Sequence, residues 1–322
     1  MEVIINSILS QMQALLSGSQ LKTLKNVLVC TLSNQTCSAA SDAEADLLTL
    51  FLTAKEVEGC SPKTIAYYKS TLEHMTTALA KPYTQVTSDD LRAYLSGYEA
   101  QRHAGKVTID NIRRIMSSFF SWLEDEDYVV KSPVRRIHRV KCAQVAKAVL
   151  TDEELESIRS SCTCARDLAI VDVLASTGMR VGELVGLDIA DVDLDGRECV
   201  VTGKGNKQRP AYFDARAKLH LSEYLEARTD DCPALFVSLK GEPRRVSIGN
   251  VEARVRELGR AASVERVHPH KFRRTLATHA IDKGMPIEQV QKLLGHAKID
   301  TTMRYAMVDQ NNVKASHRKY LE

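Results

Sequence analysis

From Ile112 to Leu123 the large apolar side chains keep one spacing. Ile112, Ile115, Met116, Phe119, Phe120 and Leu123 fall at i, i+3, i+4, i+7, i+8 and i+11. A helix gathers them on one face, whereas a strand would divide them evenly between two. A stripe this wide needs other helices to cover it. The preceding sequence offers them: Leu47, Leu48, Phe51 and Leu52 form one stripe, and Ile65, Tyr68 and Leu72 another. Ser61-Pro62 supplies an N-cap and a first-turn proline for the second. Thr87-Ser-Asp-Asp90 reads as a capping box opening a short helix through Leu91 and Leu95. A bundle of four or five helices over 43–130 is therefore expected.

An N-terminal extension, 1–42, precedes it. There Ile4, Ile5, Ile8, Leu9, Met12, Leu15 and Leu16 recur at helical spacing before a break at Ser17-Gly18-Ser19. Such a stripe either packs on its own domain or docks a neighbouring subunit, and the pattern does not choose between them. After the bundle, the acidic Glu124–Asp127 patch gives way to Lys131, Arg135, Arg136, Arg139, Lys141 and Lys147. With Ser132-Pro133 and little periodicity, 131–148 reads as a basic linker, either simply solvated or facing a polyanion.

A second domain, 149–322, opens at the capping box Thr151-Asp-Glu-Glu154, ahead of Leu155 and Ile158. A helix over Leu168–Ser176 ends at Thr177-Gly178, where glycine suits a left-handed cap, and another carries Val181, Leu184 and Val185. Alternating residues then mark strands at Ile189–Leu194, Cys199–Val201 and Ala211–Phe213. Asp195-Gly196 reads as a two-residue hairpin turn and Gly203–Lys207 as the next turn. The chain is helical again from about 248. The fold class is mainly α with a small antiparallel β-sheet.

At 322 residues, 44% hydrophobic and 26% charged, the chain has the composition of a soluble two-domain protein. A net charge of +3 does not by itself argue for nucleic acid. No apolar run approaches the roughly 18 to 20 residues that span a bilayer. The N-terminus lacks the pattern of a secretory signal. A cytoplasmic, nucleoid-associated protein without a membrane partner is expected. The eight cysteines, at 30, 37, 60, 142, 162, 164, 199 and 232, form no CxxC pair and read as reduced thiols. Cys162-Thr-Cys164 is at most half a metal site, and no histidine has a ligand-spaced partner, so no metal is expected.

Six polar residues stand apart: Arg180, Lys204, His270, Arg273, His296 and Tyr305. Two guanidinium groups, a lysine, two imidazoles and a phenol suit chemistry at a phosphodiester. That bond resists attack because its charge repels nucleophiles and its alkoxide leaves poorly. A catalyst needs fixed positive donors on the non-bridging oxygens and an acid for the leaving oxygen. Each residue also has a plainer reading. Arg180 has Glu183 three residues on as an ion-pair partner. Lys204 sits in a Gly-Lys-Gly turn, with Lys207 as a rival for the acid. His270 and His296 could be structural, and Tyr305 is one of ten tyrosines.

The ordered set Thr-Gly-Met-Arg-Val-Gly-Glu-Leu (177–184), Gly-Lys-Gly-Asn-Lys-Gln-Arg (203–209), His-Lys-Phe-Arg-Arg-Thr-Leu-Ala-Thr-His (270–279), Leu-Leu-Gly-His (293–296) and Thr-Thr-Met-Arg-Tyr (301–305) resembles the tyrosine recombinases, or phage integrases. Ser-Pro-Lys-Thr-Ile-Ala-Tyr-Tyr (61–68) extends the likeness into the bundle. One position departs: the family usually has a second histidine after the motif arginine, where this chain has Arg274.

The resemblance implies an Xer-like recombinase or mobile-element integrase acting in integration, excision, inversion or dimer resolution. Tyr305 would attack the scissile phosphate, leaving a 3′-phosphotyrosyl bond and a free 5′ hydroxyl. Arg180, Arg273 and His296 would hold the phosphoryl oxygens. Lys204 would protonate the leaving oxygen, and His270 would assist proton transfer at the tyrosine. Glu183 would orient Arg180. Neither cofactor, metal nor ATP is implied. Candidate DNA contacts are Arg113, Arg114, Arg135, Arg136, Arg139 and Lys207, with the two domains clamping a duplex. The partner would be double-stranded DNA with paired half-sites, bound as a homotetramer by a protein monomeric when free. The tail 306–322, with Met307, Val308, Val313, Tyr320 and Leu321, would dock on a neighbouring protomer. The alternatives are a type IB topoisomerase-like enzyme and a catalytically silent DNA-binding factor.

Overall fold

The Ile112–Leu123 stripe lies on the helix around which the first part of the protein is built. A computed structural model describes residues 2–13, 15–33, 40–141, 148–203, 208–303 and 305. The chain divides into two units, Met1–Gln144 and Val145–Glu322. Lys147, the turn carrying Lys204 and Lys207, Arg304 and the tail 306–322 lie outside the described residues.

The first unit holds α1 (Glu2–Met12), α2 (Gly18–Ser33), α3 (Ala40–Val57), α4 (Pro62–Leu79), α5 (Ser88–Arg102) and α6 (Lys106–Asp125). All six stripe residues of α6 are buried, with Phe119 meeting Phe51, Tyr83 and Phe120 at ring-centroid distances of 5.1, 4.8 and 5.5 Å. Edge-on contacts of this kind are a favoured packing of aromatic rings. The caps fall where the sequence places them. The Ser61 hydroxyl accepts from the Thr64 N–H, and Thr87 and Asp90 form a reciprocal capping box.

The Ser17-Gly18-Ser19 break starts a second helix. The Ser17 N–H donates to Gln20 Oε1 at 2.9 Å, and the Gln20 N–H returns to Ser17 Oγ at 3.4 Å. That is a capping box written S-x-x-Q. Ser19 Oγ then donates to Asp127 at 2.9 Å, which ties α2 to the end of α6. Ile5 is buried, so the N-terminal stripe is at least partly spent within its own unit.

The basic segment after α6 is more than a linker as far as Val140. Ser132 and Val134 are buried, and Ile137 and Val140 pack on the bundle core. A short 3-10 turn, Pro133–Arg136, carries the chain across, with the Ser132 N–H donating to Glu124 at 3.0 Å. Apolar residues at a spacing of three sit between the charges, so the lysines and arginines face outward while the backbone is held.

The second unit opens with α7 (Asp152–Ser160), α8 (Ala165–Thr177) and α9 (Val181–Gly186). An antiparallel sheet follows in the order β1 (Val192–Asp193), β2 (Glu198–Thr202), β3 (Gln208–Tyr212). Then come α10 (Ala215–Glu226), α11 (Ile248–Ala261), α12 (Pro269–Asp282), α13 (Ile287–Leu294) and α14 (Ile299–Met303). The expected two-residue turn at Asp195-Gly196 is a four-residue loop, because Asp193 pairs with Glu198. The left-handed residue in it is Arg197, at φ 55°, not Gly196. Gly196 is small for another reason: a Cβ there would lie 2.6 Å from an Asp193 carboxylate oxygen.

Helix α8 is the centre of this unit, with Ala169 through Leu174 all buried. Two buried carboxylates on it are paired: Asp167 with Arg166 and Arg254, and Asp172 with Arg159 and His220. Helix α10, in a stretch to which the sequence reading assigns no element, lays Ala217, Leu221 and Tyr224 against the core behind an Asp214 cap. Among the described residues Cys60, Cys162, Cys164, Cys199 and Cys232 are free thiols, and burial pushes Cys162 up to about 12. No described helix is long and apolar enough to cross a membrane.

Candidate active site

The site is organised by the end of α13. That helix stops at Gly295 in the left-handed region, φ 66°, with the Gly295 N–H donating to the Lys292 carbonyl at 3.1 Å and the His296 N–H to that of Gln291 at 3.1 Å. This Schellman arrangement leaves the carbonyls of Leu293, Leu294 and Gly295 without helical donors. Three arginines from three other elements fill the gap. Arg209 Nη1 donates to Leu293 at 3.0 Å, Arg273 Nη2 to Leu294 at 2.6 Å, and Arg180 Nη2 to Gly295 at 3.4 Å. The negative end of a helix dipole thus draws guanidinium groups together that would otherwise repel.

Arg180 occupies the N-cap of α9, two residues past the left-handed Gly178 that ends α8. Glycine is required at 178 for conformation and for space: a Cβ would lie 2.7 Å from Leu276 and 3.6 Å from the Cα of Arg273. Arg273, on α12, is almost fully buried and also donates to the Gly178 carbonyl at 2.8 Å. Burial, and then the nearby Arg180 charge, lower its pKa to about 10, so it remains a cation at neutral pH. Buried Glu183 is the carboxylate of the cluster. Its two oxygens accept from Arg180 Nη1 and Arg209 Nη2, each at 2.8 Å. Three guanidiniums against one carboxylate leave the site positive, as an anion site should be.

His296 follows directly. Its Nδ1 lies 2.8 Å from Thr302 Oγ1, which leaves Nε2 for a ligand. Burial, followed by Arg273, Arg180 and Arg209, pushes its pKa down to about 4, so the ring is neutral in the free protein. Thr302 is fully buried, and its carbonyl accepts the Tyr305 N–H at 2.9 Å. The Tyr305 ring stacks on His296 with centroids 5.9 Å apart and packs against the Ala277, Val290 and Leu294 cluster. The structure therefore gathers Arg180, Glu183, Arg273, His296 and Tyr305.

His270 is exposed in the first turn of α12, one turn before Arg273, with its ring 6.4 Å from that of His268. Lys271 beside it is buried and donates to the Glu265 carbonyl at 3.0 Å. Of the candidate DNA contacts, Arg114, Arg135, Arg136 and Arg139 are exposed. Arg113 is largely buried and donates to Asp110 at 2.9 Å, and the same carboxylate oxygen takes the Val140 N–H at 3.1 Å. Arg113 Nε thus pairs with the carboxylate that holds the basic segment on the bundle. Arg274, at the position that departs from the family pattern, donates to the Ala148 carbonyl.

Two residues in the cluster have no role in the sequence reading. Thr302 has no sequence signal that separates it from Thr301. Arg209 does: β3 alternates, and Arg209 falls on the inward face with Ala211, opposite Val201. An arginine in an inward strand position needs a partner. Among the described residues, no group of three or more His, Cys, Asp or Glu side chains could hold a metal ion.

The model of the phage integrase family matches residues 148–312, and that of the phage integrase N-terminal SAM-like domain matches 47–129. Tyrosine recombinase XerC of Corynebacterium glutamicum is 30% identical over 272 residues, covering 82% of this chain and 87% of that protein. XerC of Herpetosiphon aurantiacus is 31% identical over 278 residues, covering 81% and 90%. Among solved structures, XerH site-specific recombinase bound to a palindromic difH substrate shares the fold with a TM-score of 0.68 at 23% identity, over 99% of this chain and 95% of that one. A lambda integrase tetramer bound to a Holliday junction does so at 0.68 and 19%, over 88% and 85%. The catalytic motifs, the helical unit before them and these relatives agree: the chain belongs to the phage integrase family, the tyrosine recombinases.

Proposed function

We propose that the protein is a site-specific DNA recombinase that cuts and rejoins strands through a 3′-phosphotyrosyl intermediate. One observation carries the reading: the guanidiniums of Arg180 and Arg273 and the imidazole of His296 converge at the end of α13, with the Tyr305 ring against His296. Fixed donors stabilise the extra charge of a phosphorane without reorganising during the reaction. Arg180 and Arg273 hold the non-bridging oxygens, with His296 Nε2 as a further donor. The Tyr305 oxygen attacks phosphorus, and the bond to the 5′ oxygen breaks. Lys204 gives that oxygen its proton, and His270 exchanges the tyrosine proton. The phosphotyrosyl ester keeps the bond energy, so a 5′ hydroxyl from another strand reverses the step without ATP.

On this reading the substrate is duplex DNA carrying paired half-sites, filled by a homotetramer of a protein monomeric when free. Arg114, Arg135, Arg136 and Arg139 contact phosphates, and the tail after Tyr305 docks on the neighbouring protomer. Acting on chromosomal DNA, the protein works in the cytoplasm on the nucleoid. The test is to incubate it with fragments of its own genome in excess chelator, quench with detergent and sequence the trapped junctions. Recurrent sites with protein on the 3′ phosphate and a kinase-labelled 5′ hydroxyl are expected. Attachment to 5′ ends, or no attachment, would contradict the reading.

A further inference from the structure

Arg209, the last residue of the 203–209 motif, contributes the third guanidinium of the cluster. It projects from β3 on the inward face and touches two parts of the site at once. Nη2 donates to Glu183 Oε2 at 2.8 Å and Nη1 to the Leu293 carbonyl at 3.0 Å. Its side chain lies along Gly295, where a Cβ would stand 2.5 Å from Arg209 Nε and 2.7 Å from Cδ. That Nε is buried and finds no acceptor among the described residues. A side chain placed only for stability would be expected to satisfy all its donors. This one leaves its Nε unused and spends its two terminal nitrogens on a bridge, Nη1 also reaching the Pro210 carbonyl at 3.4 Å.

The bridge has consequences at both ends. With Oε2 shared between Arg209 Nη2 and the Arg180 backbone N–H, Glu183 meets the Arg180 guanidinium through Oε1 alone, so that fork is not closed into a bidentate pair. Arg180 stays 41% exposed at its side chain, which leaves donors for a ligand. At the other end, Arg209 fixes the Leu293–Gly295 backbone from which His296 projects. We propose that Arg209 is a positioning residue: it touches no substrate, but sets Arg180 through Glu183 and His296 through the end of α13, aiming both at the scissile phosphate. The proposal rests on the recombinase reading above.

The test compares wild type with Arg209→Gln and Arg209→Lys on a half-site recovered from the trapping experiment. It measures half-site affinity and the single-turnover rate of covalent adduct formation. Each protein is run on an ordinary phosphodiester and on a methylphosphonate at the scissile position, where one charged oxygen is a neutral methyl group. Lysine keeps the charge but cannot bridge two acceptors. Both variants should bind with unchanged affinity and cleave the phosphodiester about 10- to 100-fold more slowly. On the methylphosphonate, which needs well-aimed cations far less, the deficit should shrink to within about threefold. A deficit equal on both substrates means fewer folded molecules rather than misplaced cations and overturns the proposal, as do variants that cleave like wild type. If Arg209→Gln fails to fold, Arg209→Lys alone decides by the same comparison. Failure of the wild type to form any adduct would instead overturn the recombinase reading itself.

Discussion

Arg180 and Glu183 meet twice across one turn of α9: the Arg180 N–H donates to Oε2 and its Nη1 to Oε1, both at 2.8 Å. The carboxylate therefore caps the helix and orients the guanidinium with the same three atoms. Glu183→Ala removes the counter-charge shared by Arg180 and Arg209, leaving the largely buried Arg209 without a carboxylate partner and the more exposed Arg180 without its orienting contact. The second unit should lose about 3 to 5 kcal/mol in urea unfolding. Glu183→Gln, which keeps the shape, should lose less.

The depressed pKa of His296 gives a pH dependence with a definite sign. In the unfolded chain the imidazole takes up a proton near 6.5, whereas in the folded protein it does so only near 4. As pH falls through that window the unfolded state binds more protons, so stability is lost on acidification between about 6.5 and 4. His296→Gln should flatten this part of the profile. In NMR titrations the His296 ring should remain neutral at pH 5.5 in the free protein.

Gly295→Ala combines a left-handed backbone with a contact on Arg209. The conformation alone costs about 1 to 2 kcal/mol for a non-glycine residue. The 2.5 Å approach to Arg209 Nε adds to it. The cost should fall in an Arg209→Gln background, where the side chain that blocks the Cβ is shorter. Thermal melts of the four proteins of this double-mutant cycle measure the difference.

Arg113 and Arg136 are both arginines of the first unit, but their surroundings differ. Arg113 is committed to Asp110, and Arg136 is exposed. Arg136→Gln should weaken DNA binding and reduce the slope of log K against log salt by about 0.9 for the one phosphate lost. Arg113→Gln should leave that slope alone and lower the melting temperature of the first unit instead.

What the sequence makes legible is local. The Ile112–Leu123 stripe, the capping boxes at 87–90 and 151–154 and the glycine stop at 178 are each written within a few residues, and the structure has them all. Arg180, Arg273, His296 and Tyr305 are legible as an ordered set, and they do assemble. The scaffold that assembles them is not legible. Three carbonyls at the end of α13 carry no side-chain signature, and their donors come from 21, 84 and 115 residues away. Charge hides structure in the basic segment, where Val134, Ile137 and Val140 bind the backbone to the bundle beneath exposed arginines. A similar dilution affects α10, whose buried Ala217, Leu221 and Tyr224 alternate with Arg216, Lys218 and exposed Leu219. The loop at 194–197 misleads because Asp-Gly is a common hairpin turn, yet the left-handed position falls one residue later, on Arg197.

The central claim is that Tyr305, stacked on His296, is the nucleophile. The most direct measurement digests the detergent-trapped protein–DNA adduct and locates the nucleotide-bearing peptide by mass spectrometry, with Tyr305→Phe run alongside. The account predicts a modification on Tyr305 alone. It also predicts that Tyr305→Phe binds its site with unchanged affinity and forms no adduct, since only the attacking oxygen is lost. A modified peptide carrying Tyr320, or an adduct that persists in Tyr305→Phe, would contradict it.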